Sequence, residues 1–217
     1  MQELRIGVRD FSVTASLFGE GKTAIVLGHG AGGNRESPFL TSVAGALASS
    51  KRCVVLYNFP YSDRRARRPD PTDLLEMTTQ EVGAQVRERV GASHLIHGGK
   101  SMGGRIASQV VAKGAPADGL LFLGYPLHPP GRPETLRDRH LPAISVPMLF
   151  VQGTRDAFAR WDLLTGVLGR LGERAHLHPL EGADHSFKLP KSAGRTGEAV
   201  HEEILRTMRE WLELHGW

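Results

Sequence analysis

The chain has 217 residues, 40% hydrophobic and 23% charged, with a formal net charge of +4. These values fit a single globular domain over residues 1–217 and exclude a disordered, fibrous or disulfide-stapled chain; the one cysteine, Cys53, lies in an apolar run. No stretch has the apolar length of a leader or a membrane span, and one unpaired thiol suits a reducing compartment, so the expected location is cytoplasmic, away from membranes.

Residues 4–8 and 11–18 read as a strand hairpin, with Phe11, Val13, Ala15 and Leu17 in alternation. A strand over 23–28 runs into His29-Gly30-Ala31-Gly32-Gly33, and a helix follows from about Ser37 to Ser49. Strand 53–59 leads to the basic run Arg64-Arg65-Ala66-Arg67-Arg68. That run reads chiefly as a solvated loop partnered by Asp63 and Asp70; the competing reading is attraction of an anionic substrate. It lacks the interleaved aromatics of a nucleic-acid site, and no nucleic-acid partner is expected.

A helix over 73–90 carries a start signal in Asp73 and Glu76. Strand 94–98, helix 102–113 and strand 119–125 come next. Residues 126–145 hold five prolines and read as an irregular wall of the substrate pocket, too short for a large lid. Strand 147–152, helix 159–171, strand 175–180 and a helix over 196–214 complete the chain. This alternation predicts an α/β fold, a doubly wound, mainly parallel sheet flanked by helices.

The most informative stretch is Gly99-Lys100-Ser101-Met102-Gly103, set between a strand and a helix. A serine on a sharp strand-to-helix turn is a nucleophile elbow, and the flanking glycines remove side chains that would clash there. The bland competitor is a serine that only caps the helix. Serine needs a base within hydrogen-bond reach, and the matching acid and histidine should follow in the order Ser, Asp, His on later strand exits. Asp156 follows strand 147–152, and His185 follows strand 175–180. Ser101 is thus the expected nucleophile, His185 the general base and Asp156 its orienting carboxylate. Asp184 and Asp162 compete with Asp156, but Asp184 adjoins His185 and should point away.

The expected oxyanion donors are the backbone N–H groups of Ala31 and Met102. His29, Tyr61, Tyr125 and Phe158 are expected to bound an open, shallow pocket, with His29 bracing the glycine loop. His97 reads as a core histidine. His176 and His178 share a strand face but lack a carboxylate or cysteine at ligand spacing, so no metal is expected.

Two rival motifs overlap these residues. Gly28-x-Gly30-x-x-Gly33 matches a dinucleotide fingerprint, but no acidic residue ends the next strand. Gly99-Lys100-Ser101 matches the end of a phosphate loop, but His94 stands where its first glycine is required. No cofactor is expected.

The strings His-Gly-Ala-Gly-Gly, Gly-Lys-Ser-Met-Gly-Gly-Arg, Gly-Thr-Arg-Asp and Gly-Ala-Asp-His-Ser-Phe together resemble the α/β-hydrolase superfamily, and within it small, lid-poor hydrolases related to dienelactone hydrolases. The resemblance runs from about residue 20 to 214 and implies the same triad and oxyanion residues. It departs from dienelactone hydrolases in having Ser101 where their nucleophile is cysteine. The implied activity is cleavage of a small carboxylic ester or thioester through an acyl-enzyme. A peptidase or acyltransferase of the same fold, or a non-catalytic protein-interaction module, are the alternatives.

Overall fold

Four strands of this chain are buried at every position: β3 (Thr23–Gly28), β4 (Arg52–Tyr57), β6 (Gly119–Leu123) and β7 (Met148–Gly153). Strands with no wet face need helices on both sides. The computed structural model describes residues 1–217 and shows that arrangement. Eight strands form one sheet in the order β1-β2-β4-β3-β5-β6-β7-β8. The hairpin β1 (Gln2–Val8) and β2 (Phe11–Phe18) pairs antiparallel onto β4; β4, β3, β5 (His94–Lys100), β6, β7 and β8 (Ala175–Leu180) run parallel.

Alternate side chains of each strand point to opposite faces, so each face has its own core. On one face α1 (Pro38–Leu47) and α6 (Gly197–Leu214) cover Ile25, Leu27, Val54 and Leu56. The apolar stripe Val200, Ile204, Met208, Trp211 and Leu212 of α6 is buried there. On the other face α3 (Thr72–Val90) and α4 (Met102–Ala112) cover Ala24, Val26 and Val55, and α5 (Trp161–Leu171) covers Phe122 and Phe150.

Local signals missed at several boundaries. The strand expected over 53–59 ends at Tyr57, because Pro60 opens the short helical turn α2 (Pro60–Asp63). The Asp63 carboxylate locks that turn by accepting from Thr14 N–H at 2.7 Å and Asn58 Nδ2 at 2.8 Å. Helix α3 begins at Thr72 with no side-chain cap, and Glu76 instead pairs with Lys113 beyond α4. The strand expected to stop at 98 continues to Lys100, and the one expected to reach 125 stops at Leu123, where Gly124 turns with φ 71°. The irregular segment joining β6 to β7 is more than a pocket wall. Its Leu127, Leu141 and Ile144 are buried in the core beneath α5.

The chain leaves β3 for β4 on one side and returns to β5 on the other, so β3 and β5 are neighbours whose exits diverge. Such a reversal point opens a crevice at the carboxyl edge of a parallel sheet. The pairing Gly28↔Gly99 brings the glycine loop and the serine turn to that crevice.

His97 is buried against Gly83, where a Cβ would strike its ring, and its Nδ1 has no partner. Burial lowers its pKa to about 4 from an ordinary 6.5. The unfolded chain therefore binds the extra proton first, and stability is lost as pH falls from 6.5 towards 4. Urea unfolding should show this group weakening the fold by on the order of 2 kcal/mol between pH 7 and 4.5, and a His97→Gln variant should lack that share.

Candidate active site

The elbow is a three-way approach of glycine backbone. A Cβ on Gly99 or Gly103 would collide with the Gly28 carbonyl, and one on Gly28 would come within 3.1 Å of Gly103 Cα. With no side chains between them, β3, β5 and the start of α4 meet backbone to backbone. Ser101 takes up the resulting turn with φ 51° and ψ −115°, a conformation that costs a non-glycine residue on the order of 1–3 kcal/mol. Its N–H donates to Leu123 O at 3.1 Å, and its own carbonyl accepts from Arg105 N–H at 3.1 Å to start α4.

Ser101 Oγ lies 2.8 Å from His185 Nε2, and His185 Nδ1 lies 2.6 Å from Asp156 Oδ2. The Asp156 side chain is fully buried, while His185 and Ser101 are half-buried. Asp156 also accepts from Gln152 Nε2 at 2.6 Å and from Phe158 N–H at 2.7 Å. Three donors satisfy the buried carboxylate and fix its orientation. An ionised carboxylate only accepts, so the imidazole proton sits on Nδ1 and Nε2 is free to accept from the serine hydroxyl.

The two loops that carry Asp156 and His185 are themselves in backbone contact. Arg155 N–H donates to Ala183 O at 2.9 Å, and a Cβ on Gly153 would strike that same carbonyl. Asp184 does point away: its Oδ1 accepts from Ser186 and Lys188 N–H at 2.8 and 2.9 Å. Asp162 pairs with Arg160 at the exposed start of α5.

The glycine loop is braced through one carbonyl. Gly30 O accepts from Gly33 N–H at 3.0 Å, from His29 Nδ1 at 2.8 Å and from the Tyr61 hydroxyl at 3.4 Å. His29 Nε2 accepts from Phe59 N–H at 3.2 Å. Its ring is thus neutral with the proton on Nδ1, and burial lowers its pKa. A trans peptide points its C=O and N–H in opposite directions. Pinning Gly30 O inward therefore turns the Ala31 N–H outward, where it has no acceptor in the protein. The Met102 N–H, first in α4, likewise has no partner one turn back. A Cβ on Gly30 would sit 3.6 Å from Ser101 Cβ, so the loop and the serine face each other closely.

A profile of the alpha/beta hydrolase domain matches residues 21–213. The chain belongs to the α/β-hydrolase family. Solved structures of similar fold include a dienelactone hydrolase from Anabaena variabilis, with TM-score 0.73 and 22% identity over 98% of this chain and 97% of that one. A serine hydrolase without a lid from Xanthomonas campestris gives 0.71 and 19% over 97% and 94%. An esterase from Pyrococcus furiosus gives 0.76 and 13% over 98% and 91%. At these identities the likeness is one of fold.

In this α/β-hydrolase the expected pocket residues divide. Phe158 stacks on His185 with ring centroids 4.3 Å apart. Tyr61 and Tyr125 do not line a pocket, and neither does His29: each is only 1% exposed. The Tyr61 hydroxyl also accepts from Gly32 N–H at 3.1 Å, and the Tyr125 hydroxyl donates to Arg137 O at 2.7 Å. Their aromatic character suggested a pocket wall, whereas the packed sheet edge uses them as internal braces. His178 pairs with Glu203 at 2.9 Å, and His176 is exposed on the same strand.

Two supporting side chains escaped the sequence reading. Gln152 links Asp156 to Tyr125 N–H, whose bond to Oε1 is 2.7 Å. Its signal was a polar residue inside the apolar run of β7. Lys100, beside the nucleophile, reaches across to donate from Nζ to His185 O at 2.5 Å and lies 4.7 Å from the Phe187 ring centroid. Burial lowers its pKa to about 8, against the opposing pull of Asp156 and Asp184. Its signal was a charge between a strand and a glycine-rich turn.

Loss of that anchor should misplace the imidazole. Lys100→Met is expected to slow modification of Ser101 by a fluorophosphonate roughly 10–100-fold. The lysine is charged below about pH 8. The wild-type rate should therefore lose part of its advantage above that pH, and Lys100→Met should lack this limb.

Proposed function

We propose that this chain is a serine hydrolase that cleaves a small carboxylic ester or thioester through an acyl-enzyme, as one catalytic domain over residues 1–217. The observation that carries this reading is the continuous hydrogen-bonded series from Ser101 through His185 to Asp156, 2.8 and 2.6 Å, ending on a buried carboxylate. In this reading Ser101 Oγ adds to the carbonyl carbon while His185 Nε2 takes its proton. Asp156 stabilises the imidazolium that forms. The negative oxygen of the tetrahedral intermediate is received by the Ala31 and Met102 N–H groups. Collapse expels the alcohol or thiol, which takes the proton back from His185. Water then repeats the sequence on the acyl group, releasing the acid and restoring Ser101.

Side chains and backbone supply every proton transfer and the anion site, so the reading calls for no cofactor. A small substrate is supported by the setting. The more pronounced surface cavities, of 240–550 Å3, are lined by residues other than Ser101 and His185. An open, shallow site of this kind would give a long acyl chain little to bury in. No helix is long and apolar enough to cross a membrane. The buried free thiol of Cys53 supports a cytoplasmic setting.

The deciding experiment is labelling with a fluorophosphonate, read by intact mass. Wild type should gain one adduct, and Ser101→Ala and His185→Ala should gain none. An unlabelled but folded wild type would overturn the hydrolase reading and favour a protein-interaction module. With an activated ester as substrate, Asp156→Asn should lower kcat by about four orders of magnitude, because the imidazole would be held in the wrong tautomer.

A further inference from the structure

The net charge of this chain is not spread over its surface. The strand exits at residues 29–37, 58–71, 124–147, 154–160 and 181–196 hold thirteen Lys and Arg against eight Asp and Glu. The remainder of the chain holds fourteen Lys and Arg and fifteen Asp and Glu. The net positive charge therefore lies on the sheet edge that carries Ser101.

Several acids within those loops are also spoken for. Asp63 accepts from Thr14 and Asn58, Asp156 from His185, Gln152 and Phe158, and Asp184 from Ser186 and Lys188. Asp70 accepts from Tyr61 N–H at 2.7 Å and pairs with Arg64. Of the basic run, Arg64 alone has a carboxylate partner. Arg65, Arg67 and Arg68 are exposed and unpaired. Asp70 partners Arg64 as expected, whereas Asp63 is taken up by Thr14 and Asn58 and pairs with no arginine of the run.

The loop is held in place rather than loosely tethered. Arg65 N–H donates to Ser62 O at 2.9 Å and Ala66 N–H to Tyr61 O at 2.8 Å. Arg65 is fixed in the left-handed region with φ 57°. The Tyr61 hydroxyl contacts the peptide groups of Gly30 and Gly32, and Arg65, Arg67 and Arg68 follow Tyr61 by four to seven residues. Guanidinium groups match carboxylate and phosphate oxygens in pairs, and a one-signed rim raises the local concentration of an oppositely charged ligand.

We propose that Arg65, Arg67 and Arg68 form an anion-binding rim that selects esters or thioesters bearing a second, negatively charged group, a carboxylate or a phosphate, away from the scissile carbonyl. This rests on the hydrolase reading above and adds the substrate class to it.

The test compares kcat/KM for two matched pairs at low salt and at high salt. One pair is p-nitrophenyl acetate and p-nitrophenyl hemisuccinate, which places a carboxylate on the acyl side. The other is the acetyl thioester of a neutral thiol and of the same thiol carrying a phosphate, which places the charge on the leaving side. At least one pair should favour the anionic member by about tenfold at low salt, and salt should erode that ratio. The pair that shows the ratio identifies the side on which the charge sits. Arg65→Asn/Arg67→Ala/Arg68→Ala should bring the ratio towards one. Arg206→Ala, on α6, should keep it. Asparagine suits the left-handed backbone at position 65, and the salt series on wild type stands even if the triple variant folds poorly. Equal turnover within both pairs, or a ratio that survives the triple variant, would overturn the rim and leave the hydrolase reading intact. No turnover of any of the four would overturn both.

Discussion

The constraint on which the rest depends is the absence of side chains where Gly28, Gly99 and Gly103 meet. Backbone can approach backbone there only because nothing intervenes. The approach bends the chain into a left-handed serine, lifts Oγ above the sheet edge, and sets the first N–H of α4 beside it. It also brings the end of β3 against the start of α4, so the glycine loop faces the serine from the opposite side of the crevice. One steric condition thus sets the Ser101 hydroxyl, the proposed nucleophile, close to two N–H groups without protein acceptors, from the exit of β3 and the start of α4.

The energetic consequence is a site assembled before any substrate arrives. The strained Ser101 is held by its bond to β6 and by the helix it starts. The carboxylate of Asp156 is saturated by three donors, and the Gly30 carbonyl by three more. Preorganised dipoles need no rearrangement when charge develops, which is where electrostatic catalysis gains most over water. The buried ammonium of Lys100 extends the same logic to the histidine loop. It holds the backbone of His185 through its hydrogen bond to the carbonyl.

Much of this was legible in the chain. Apolar runs alternating with helical stripes give the doubly wound sheet, because a strand without a polar face has few other homes. The Gly-x-Ser-x-Gly spacing gives the elbow for the steric reason above. Asp156 and His185 were placed by their position after strands, and the fold brings both to Ser101. The failures have a common cause. Tyr61, Tyr125 and His29 were expected around substrate because they are aromatic and near the loops. Only the packed structure shows their polar tips satisfying internal carbonyls and N–H groups. Lys100 and Gln152 each stood out as a polar residue in an apolar or glycine-rich stretch, but their partners, His185 85 positions away and Tyr125 on the neighbouring strand exit, could not be named from spacing. The Asp73 and Glu76 signal placed the start of α3 to within one residue, although neither side chain caps it and Glu76 pairs with Lys113.

The fate of Cys53 has a practical side. Its thiol is fully buried in β4, and burial raises its pKa. It is therefore a poor target for alkylating and oxidising reagents. A cysteine introduced on the exposed loop at Arg67 or Arg68 would be the sole reactive thiol of the molecule. The native sequence thus comes ready for site-specific attachment of a fluorophore or spin label beside the crevice, without first removing a residue from the core.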